Sequence, residues 1–403
     1  MTPAKHGELP GESRDQTAVQ LSIIAALLFL PLGLHLPYFP VWLSARGLSD
    51  AEIAAALATP MVLRVIATPL IAAFADRRGI GVALAACAVS LFAGYCGLRF
   101  ATGFGPIFIG ALIVAVAMGS LPALADALTL TEIRRAEVSA RAPIAYGHIR
   151  VWTSIGVLAM MLSSGRIVEA FPGDRIIVAL AGLSLFSVGV AVFAALRMNP
   201  THVYAPGEGG RLTADGARLR LAIVGIAAAA LIQSSHAEVY SFATIHWRES
   251  GLSPDLISAA WAMGVASESI LFVIAARYFK SDRSAITFLL IGAGGAVLRW
   301  TAMSFDPGPG LVIALQAMHG LSFGATTCGS VLLLGSLASS SHRARMQGWL
   351  AAASSLSLAA ATFACGRLTG LFGERAYLAM AALAGAGGVA ALLAGWLKQR
   401  LPE

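Results

Sequence analysis

Seven charged residues interrupt long apolar runs in this chain: Arg64, Asp126, Arg150, Glu238, Glu268, Arg299 and Arg367. On insertion scales each costs about 2.5–3.5 kcal/mol at the centre of a lipid-embedded helix, so such groups face a bundle interior or a water-filled cavity. Four positive charges against three negative are nearly balanced, as expected of groups that pair across a cavity. Arg64 and Glu268 each lie about 13 residues into their apolar runs, which at ~1.5 Å per helical residue puts both near mid-membrane. The set reads either as structural ion pairs between helices or as a site for a substrate or a proton. His35, His236, His246 and His319 lie in the same runs. Imidazole changes charge near neutral pH, which suits a proton relay, although a histidine can equally be an interhelical hydrogen-bonder. His319 and the pair His236/Glu238 have titratable company. Positions 236 and 238 point to different sides of a helix.

Two apparent motifs carry no chemistry. Gly320-Leu321-Ser322-Phe323-Gly324 fits G-x-S-x-G but lies inside an apolar run and not on a strand–turn–helix. It reads better as G-x-x-x-G helix packing, as does Gly366 with Gly370. Cys87, Cys96, Cys328 and Cys365 all fall in apolar stretches without disulfide or metal spacing, and read as buried free thiols. No metal or cofactor is expected.

Positioning these groups requires membrane-spanning helices. Of 403 residues 57% are hydrophobic and 12% charged, with a mean hydropathy of +0.76. Soluble domains carry about 25% charged residues, so a soluble enzyme, a disordered chain and a nucleic-acid-binding domain are disfavoured. The expected fold is an all-α polytopic membrane protein. Twelve helices are predicted near 18–44, 51–74, 80–99, 105–130, 144–164, 175–197, 219–246, 255–278, 284–303, 309–338, 346–370 and 376–397. The first is too long for a signal-peptide core and lacks a cleavage site, so it stays a span. Pro31, Pro37, Pro40, Pro60, Pro69 and Pro122 are expected to bend their helices. A polar 198–218 stretch divides a six-helix half (18–197) from a second (219–397), with tails at 1–17 and 398–403. Placing both termini inside puts eighteen of the 28 Lys and Arg residues on the inner side and six outside, the remaining four lying within spans. That bias sets the orientation, and the net charge of +7 needs no nucleic-acid partner.

The halves also repeat. Gly47-Leu48-Ser49-Asp50-Ala51-Glu52-Ile53 and Gly251-Leu252-Ser253-Pro254-Asp255-Leu256-Ile257 lie 204 residues apart. The same offset matches Arg64 with Glu268, opposite charges at equivalent positions. Duplicated halves enclosing a midplane site are a transporter architecture.

Twelve helices in two pseudo-symmetric six-helix bundles resemble the major facilitator superfamily over the whole chain. Its loop between helices 2 and 3 is present in degenerate form as Ala72-x-x-x-Asp76-Arg77-Arg78-Gly79, with Ala for the first Gly and no trailing basic pair. The resemblance implies that Asp76 latches neighbouring helices on the cytoplasmic side. The superfamily's helix-4 Arg motif and its antiporter Gly-Pro motif in helix 5 are absent, which favours symport or facilitated uptake over drug/proton exchange. More closely, the chain resembles the 3-phenylpropionic acid transporter family, lactose-permease-like proton symporters. The likeness rests on Leu121-Pro122-x-x-x-Asp126-Ala127-Leu128, Tyr146-Gly147-x-Ile149-Arg150-x-Trp152-x-Ser154, His236-Ala237 with Tyr240-x-Phe242, Glu268, Arg299-Trp300 and His319. It implies substrate binding by Asp126 and Arg150, with Trp152 a further substrate candidate, and proton coupling by Glu268, Arg299 and His319; Glu238 and His236 are further proton-coupling candidates. Val157 stands where lactose permease has its sugar-stacking Trp, while Gln316 and Ser322 replace a Lys and an acidic residue flanking the helix-10 His. Those departures disfavour galactosides and make Glu268 the first-choice proton carrier, Glu238 the second. Arg64, shared with the phenylpropionate-type family, is a natural counter-ion for a carboxylate. Tyr38, Trp42, Tyr240 and Trp261 are available to contact a ring.

The expectation is a monomeric, multi-pass transporter in the cell inner membrane, importing a small organic anion with protons. A proton symporter for a neutral sugar or nucleoside is the alternative. A polytopic membrane enzyme, lacking any clustered catalytic set, is a remote one.

Overall fold

The computed structural model describes residues 14–138, 146–198, 216–278, 284–337 and 343–400. The predicted tail before residue 14, residues 199–215 of the predicted linker and residues 401–403 lie outside the described residues. The described residues form helices and no strand. We number the elements α1 (Arg14–Leu28 and Leu30–Ala45), α2 (Asp50–Arg78), α3 (Ile80–Phe100), α4 (Phe104–Val138), α5 (Tyr146–Ala170) and α6 (Ile176–Arg197). The second half holds α7 (Gly216–Ser234, Ala237–Ser241 and Ala243–Glu249), α8 (Pro254–Tyr278), α9 (Ser284–Met303), α10 (Pro309–Ala317, the π-turn Gly320–Gly324 and Ala325–Leu337), α11 (Arg343–Phe372) and α12 (Ala376–Gln399). Arg345–Gln399 is one apolar stretch of 55 residues, which the turn Gly373–Arg375 divides into two crossings.

The repeated segments build the same turn. Gly47 and Gly251 have φ of 78° and 83°, a region costly for any residue with a Cβ. Around them Gly47 N–H bonds Ser44 O and Leu48 N–H bonds Leu43 O, as Gly251 N–H bonds Arg248 O and Leu252 N–H bonds Trp247 O. These are Schellman closures, in which a left-handed residue satisfies the last carbonyls of a helix. Ser49 and Glu52 then form a capping box that opens α2, and Ser253 Oγ accepts from Leu256 N–H at the start of α8. Packing repeats with the turns. The contacts α1–α5, α1–α6, α2–α4, α3–α4 and α3–α6 recur as α7–α11, α7–α12, α8–α10, α9–α10 and α9–α12. Between the halves α2 lies on α11, and α5 on α8.

Those two crossings touch at one end only. Near the α1–α2 turn, a Cβ on Gly366 would stand 2.5 Å from Ala54 Cβ and 2.8 Å from Asp50 O, and one on Gly165 2.6 Å from Pro254 O. Ser164 and Ser258 hydroxyls are 2.9 Å apart there, and Tyr38 OH donates to Pro254 O at 3.1 Å. Toward the end carrying the termini, Ile66, Leu70 and Phe74 of α2 and Ile270 and Val273 of α8 are exposed. The halves are therefore sealed at the α1–α2 end and parted at the other.

Three helices are interrupted where a continuous helix was expected in each case. The α1 break at Phe29 precedes Pro31, which has no N–H to continue the ladder. Pro37, Pro40, Pro60, Pro69 and Pro122 lie inside unbroken helices. In α7 the break at Ser235–His236 has no proline. Ser235 Oγ donates to Ile232 O and the His236 ring turns to Gln233 O, side-chain bonds that compete with the helix ladder. The π-turn of α10 directly follows His319. All four cysteines are free, but Cys96 and Cys328 are only half-buried, unlike the burial expected of them.

Candidate functional site

Arg64 lines a cavity of about 400 Å³ between the halves, with Val65, Thr68 and Pro69 of α2, Gly119 of α4, and Gly348, Ala351, Ala352 and Ser355 of α11. A guanidinium carries five N–H donors and demands acceptors. Among the described residues no hydrogen bond or ion pair reaches it. Small residues make the space: a Cβ on Gly119 would fall 2.5 Å from Arg64 Cδ and 2.7 Å from its Nη1. The mid-membrane arginine of the first half is thus a half-buried cation facing open volume. This overturns the expectation that the span charges pair across the cavity. Among the described residues only Asp126 and Arg150 of the seven pair with each other, Glu268 faces His319, and Arg64 joins no ion pair.

The second half gathers the other predicted residues into one chain. Glu268 Oε2 lies 3.6 Å from His319 Nε2. His319 Nδ1 is 3.2 Å from Arg299 Nη1, which also donates to Ser322 Oγ at 3.2 Å, while Arg299 Nη2 donates to Gln316 Oε1. His236 Nε2 faces the same serine at 3.0 Å. A guanidinium can only donate, so His319 Nδ1 must accept, and its proton sits on Nε2 toward Glu268. His236 has the opposite tautomer, because Nδ1 faces the Gln233 carbonyl at 3.1 Å. Arg299 is 1% exposed and lies over the Trp300 ring, 4.4 Å from its centroid. Gly320 seats this chain against α8, since a Cβ there would meet Ser267 O at 2.6 Å. That contact bears out the G-x-x-x-G reading, as Gly366 does on α2.

The aromatic candidates divide. Tyr240 stacks on Trp261 at 6.1 Å and meets His319 edge-on at 6.3 Å, while Trp261 Nε1 donates to Thr244. Tyr38 and Trp42 are fully buried elsewhere: Tyr38 in the seal between the halves, Trp42 donating to Asp174 at 3.2 Å. They therefore do not line the cavity. Asp126 and Arg150 meet at 3.8 Å, with Tyr146 OH donating to Asp126 at 3.0 Å. They occupy a separate recess beside Leu21 and Ile24 of α1, so Arg150 does not join Arg64 in one pocket. Trp152, 47% exposed, lies about 200° round α5 from Arg150. Glu238 is buried apart from His236, accepting from Thr369 Oγ1 at 2.8 and 3.1 Å. Arg367 is exposed. The Asp76 carboxylate is also exposed, without a partner among the described residues, so the expected latch is not made in this parted state. Arg77 is exposed beside it, and Gly79, with φ of 97°, turns the chain from α2 into α3. Sequence reading missed Gly119 and Thr369. A glycine amid an apolar run signalled the first; one threonine among many gave no signal for the second.

Residues 18–377 match the family described as MFS_1 like. The chain belongs to the MFS_1 like family. Among curated proteins it is 27% identical over 292 residues, 72% of this chain and 75% of the relative, to the probable 3-phenylpropionic acid transporter of Escherichia coli (strain K12). The MFS_1 like fold also matches the nucleoside transporter NupG, with a TM-score of 0.75 and 17% identity over 95% of this chain and 99% of that one. A bacterial homolog of the human lysosomal transporter Spinster, inward-facing and occupied, matches with a TM-score of 0.73 and 15% identity over 98% and 100%. The resemblance read from the motifs is borne out. This MFS_1 like chain is a multi-pass membrane transporter and not an enzyme.

Proposed function

We propose that the protein is a proton-coupled symporter that imports a small aromatic carboxylate, of the phenylpropionate kind, by alternating access. One observation carries the reading: an unpaired guanidinium, Arg64, faces the cavity where the two halves part. A carboxylate would supply the acceptors that this group lacks, in bidentate form. The named substrate of the Escherichia coli relative has that chemistry.

The mechanism follows from the cost of buried charge. With the site open to the outside, Glu268 takes a proton and the substrate carboxylate docks on Arg64. The two events neutralise buried charge, at Glu268 on α8 and at Arg64 in the cavity, which lowers the cost of closure, and the halves rock about their crossings. On the inner side Glu268 loses its proton, and His319 Nε2–H remains to hold the carboxylate. The substrate then leaves through the parted end, which we place in the cytoplasm with both termini. We read the two six-helix halves, 18–197 and 219–397, as the rocking units, the 198–218 stretch as their linker, and a monomer in the inner membrane as the working unit.

Uptake by purified protein in liposomes, with and without an imposed pH gradient, tests this against phenylpropionate and a panel of sugars and nucleosides. Gradient-driven accumulation of the aromatic acid supports it. Accumulation of a sugar or nucleoside but no aromatic acid overturns it.

A further inference from the structure

The sealed end of the molecule carries a second repeat. Phe171-Pro172-Gly173-Asp174-Arg175 joins α5 to α6, and Phe372-Gly373-Glu374-Arg375 joins α11 to α12. Both form a 3-10 turn, entered by a glycine with φ of 60° in the first and 54° in the second. Asp174 and Glu374 thus hold equivalent places. In the first half protein cations and an indole saturate the acid: Asp174 takes Arg46 at 2.8 Å, Arg99 at 3.2 Å and Trp42 Nε1 at 3.2 Å.

The second half replaces each of those groups. At the 204-residue offset His246 stands for Trp42, and Ser250 for Arg46. A further carboxylate, Asp306, enters from the α9–α10 loop; it is the one non-glycine residue with positive φ, 50°, among the described residues. His246 Nε2 lies 2.8 Å from Asp306 Oδ1, and Nδ1 3.1 Å from Glu374 Oε1; Ser250 Oγ is 3.1 Å from Nε2. Two guanidiniums and an indole give way to one imidazole, a hydroxyl and an extra carboxylate. Arg375 is the cation that lines the adjoining open basin with Asp306 and Glu374.

We propose that His246, Asp306 and Glu374 form a site for a divalent transition-metal ion of the zinc class on this face. One donor atom from each residue lies within 4.8 Å of the others. Ligands about 2.0–2.2 Å from a tetrahedral zinc stand roughly 3.3–3.6 Å apart, so movements of about 1 Å complete the set. Each imidazole nitrogen now faces its own carboxylate, so an ion on Nε2 beside Asp306 draws Glu374 from Nδ1 into its shell. Water fills the remaining position toward the basin. The ion staples the end of α7 to the α9–α10 and α11–α12 turns. Its three ligands come from one half, so it leaves the rocking motion free.

Titrating tag-free, full-length protein in detergent with zinc chloride tests the site. We expect one saturable zinc per chain and a rise in Tm. His246→Gln and Asp306→Asn should each weaken binding at least tenfold, while Asp174→Asn in the first half leaves it unchanged. X-ray absorption on zinc-loaded wild type should show one imidazole among oxygen ligands, a readout independent of how the variants fold. The proposal is overturned by an absent saturable site, by affinity unmoved in both variants, or by a shell with thiolate or several imidazoles. A loss of stability in His246→Gln without zinc binding by wild type would also overturn it, making the group a charged brace only.

Discussion

Gly119→Ala separates helix stability from site geometry at a single atom. The new Cβ would sit 2.5 Å from Arg64 Cδ and 2.7 Å from Nη1, against ordinary contacts of about 3.5–4.0 Å, so the side chain must move by about 1 Å. Alanine also favours a helix interior over glycine by about 0.5–1 kcal/mol, so the substitution should not destabilise α4. A hydrogen bond to a charged group is worth about 1.5–3 kcal/mol, and losing one on displacement of the guanidinium corresponds to roughly a 10- to 150-fold rise in half-saturation. Uptake kinetics in liposomes, paired with thermal unfolding of the same preparation, read both effects. Arg64→Lys in the Gly119→Ala background should recover part of the affinity, because a flexible ammonium can find a new position. Unchanged half-saturation with unchanged Tm would refute the assignment of Arg64 to the substrate.

Three further outcomes follow from other contacts. Gly366→Leu adds bulk where Ala54 and Asp50 already touch, so it should part α2 from α11 at the sealed end; spin-label distances across that seam should lengthen by several ångströms relative to wild type. Thr369→Val removes the hydroxyl that bonds both oxygens of buried Glu238, which should cost about 1–3 kcal/mol of stability as a lowered Tm, with Thr369→Ser restoring most of it. Gln316→Leu takes the acceptor from Arg299 while keeping the volume, and should change the pH profile of uptake more than the amount of folded protein.

Fold and site were unequally legible in the sequence. Hydropathy revealed the spans because lipid tolerates so few charges, and the matched segments 47–53 and 251–257 exposed the duplication, each opening on a glycine whose φ disfavours a Cβ. Glu268, Arg299, His319 and His236 were legible as costly groups in apolar runs, and they do converge. Their order along the chain of contacts was not, since it depends on the broken α7 and the π-turn of α10, neither of which has a proline to announce it. The places of Tyr38 and Trp42 were not legible either, because an aromatic residue in a span serves a seal as readily as a ligand. The pairing of charges failed as an expectation for a related reason. Sequence balance counts charges over the whole chain, whereas only Asp126 and Arg150 of the seven pair with each other among the described residues, and uncharged partners hold Arg299 and Glu238.

Proton movement during uptake tests the account's central claim most directly. Phenylpropionate added to weakly buffered liposomes bearing wild-type protein should alkalinise the outer medium as protons enter with it. Glu268→Gln should exchange labelled for unlabelled substrate but produce no alkalinisation and no gradient-driven accumulation. Alkalinisation that persists in Glu268→Gln, or substrate entry through wild type without any proton, would contradict the account.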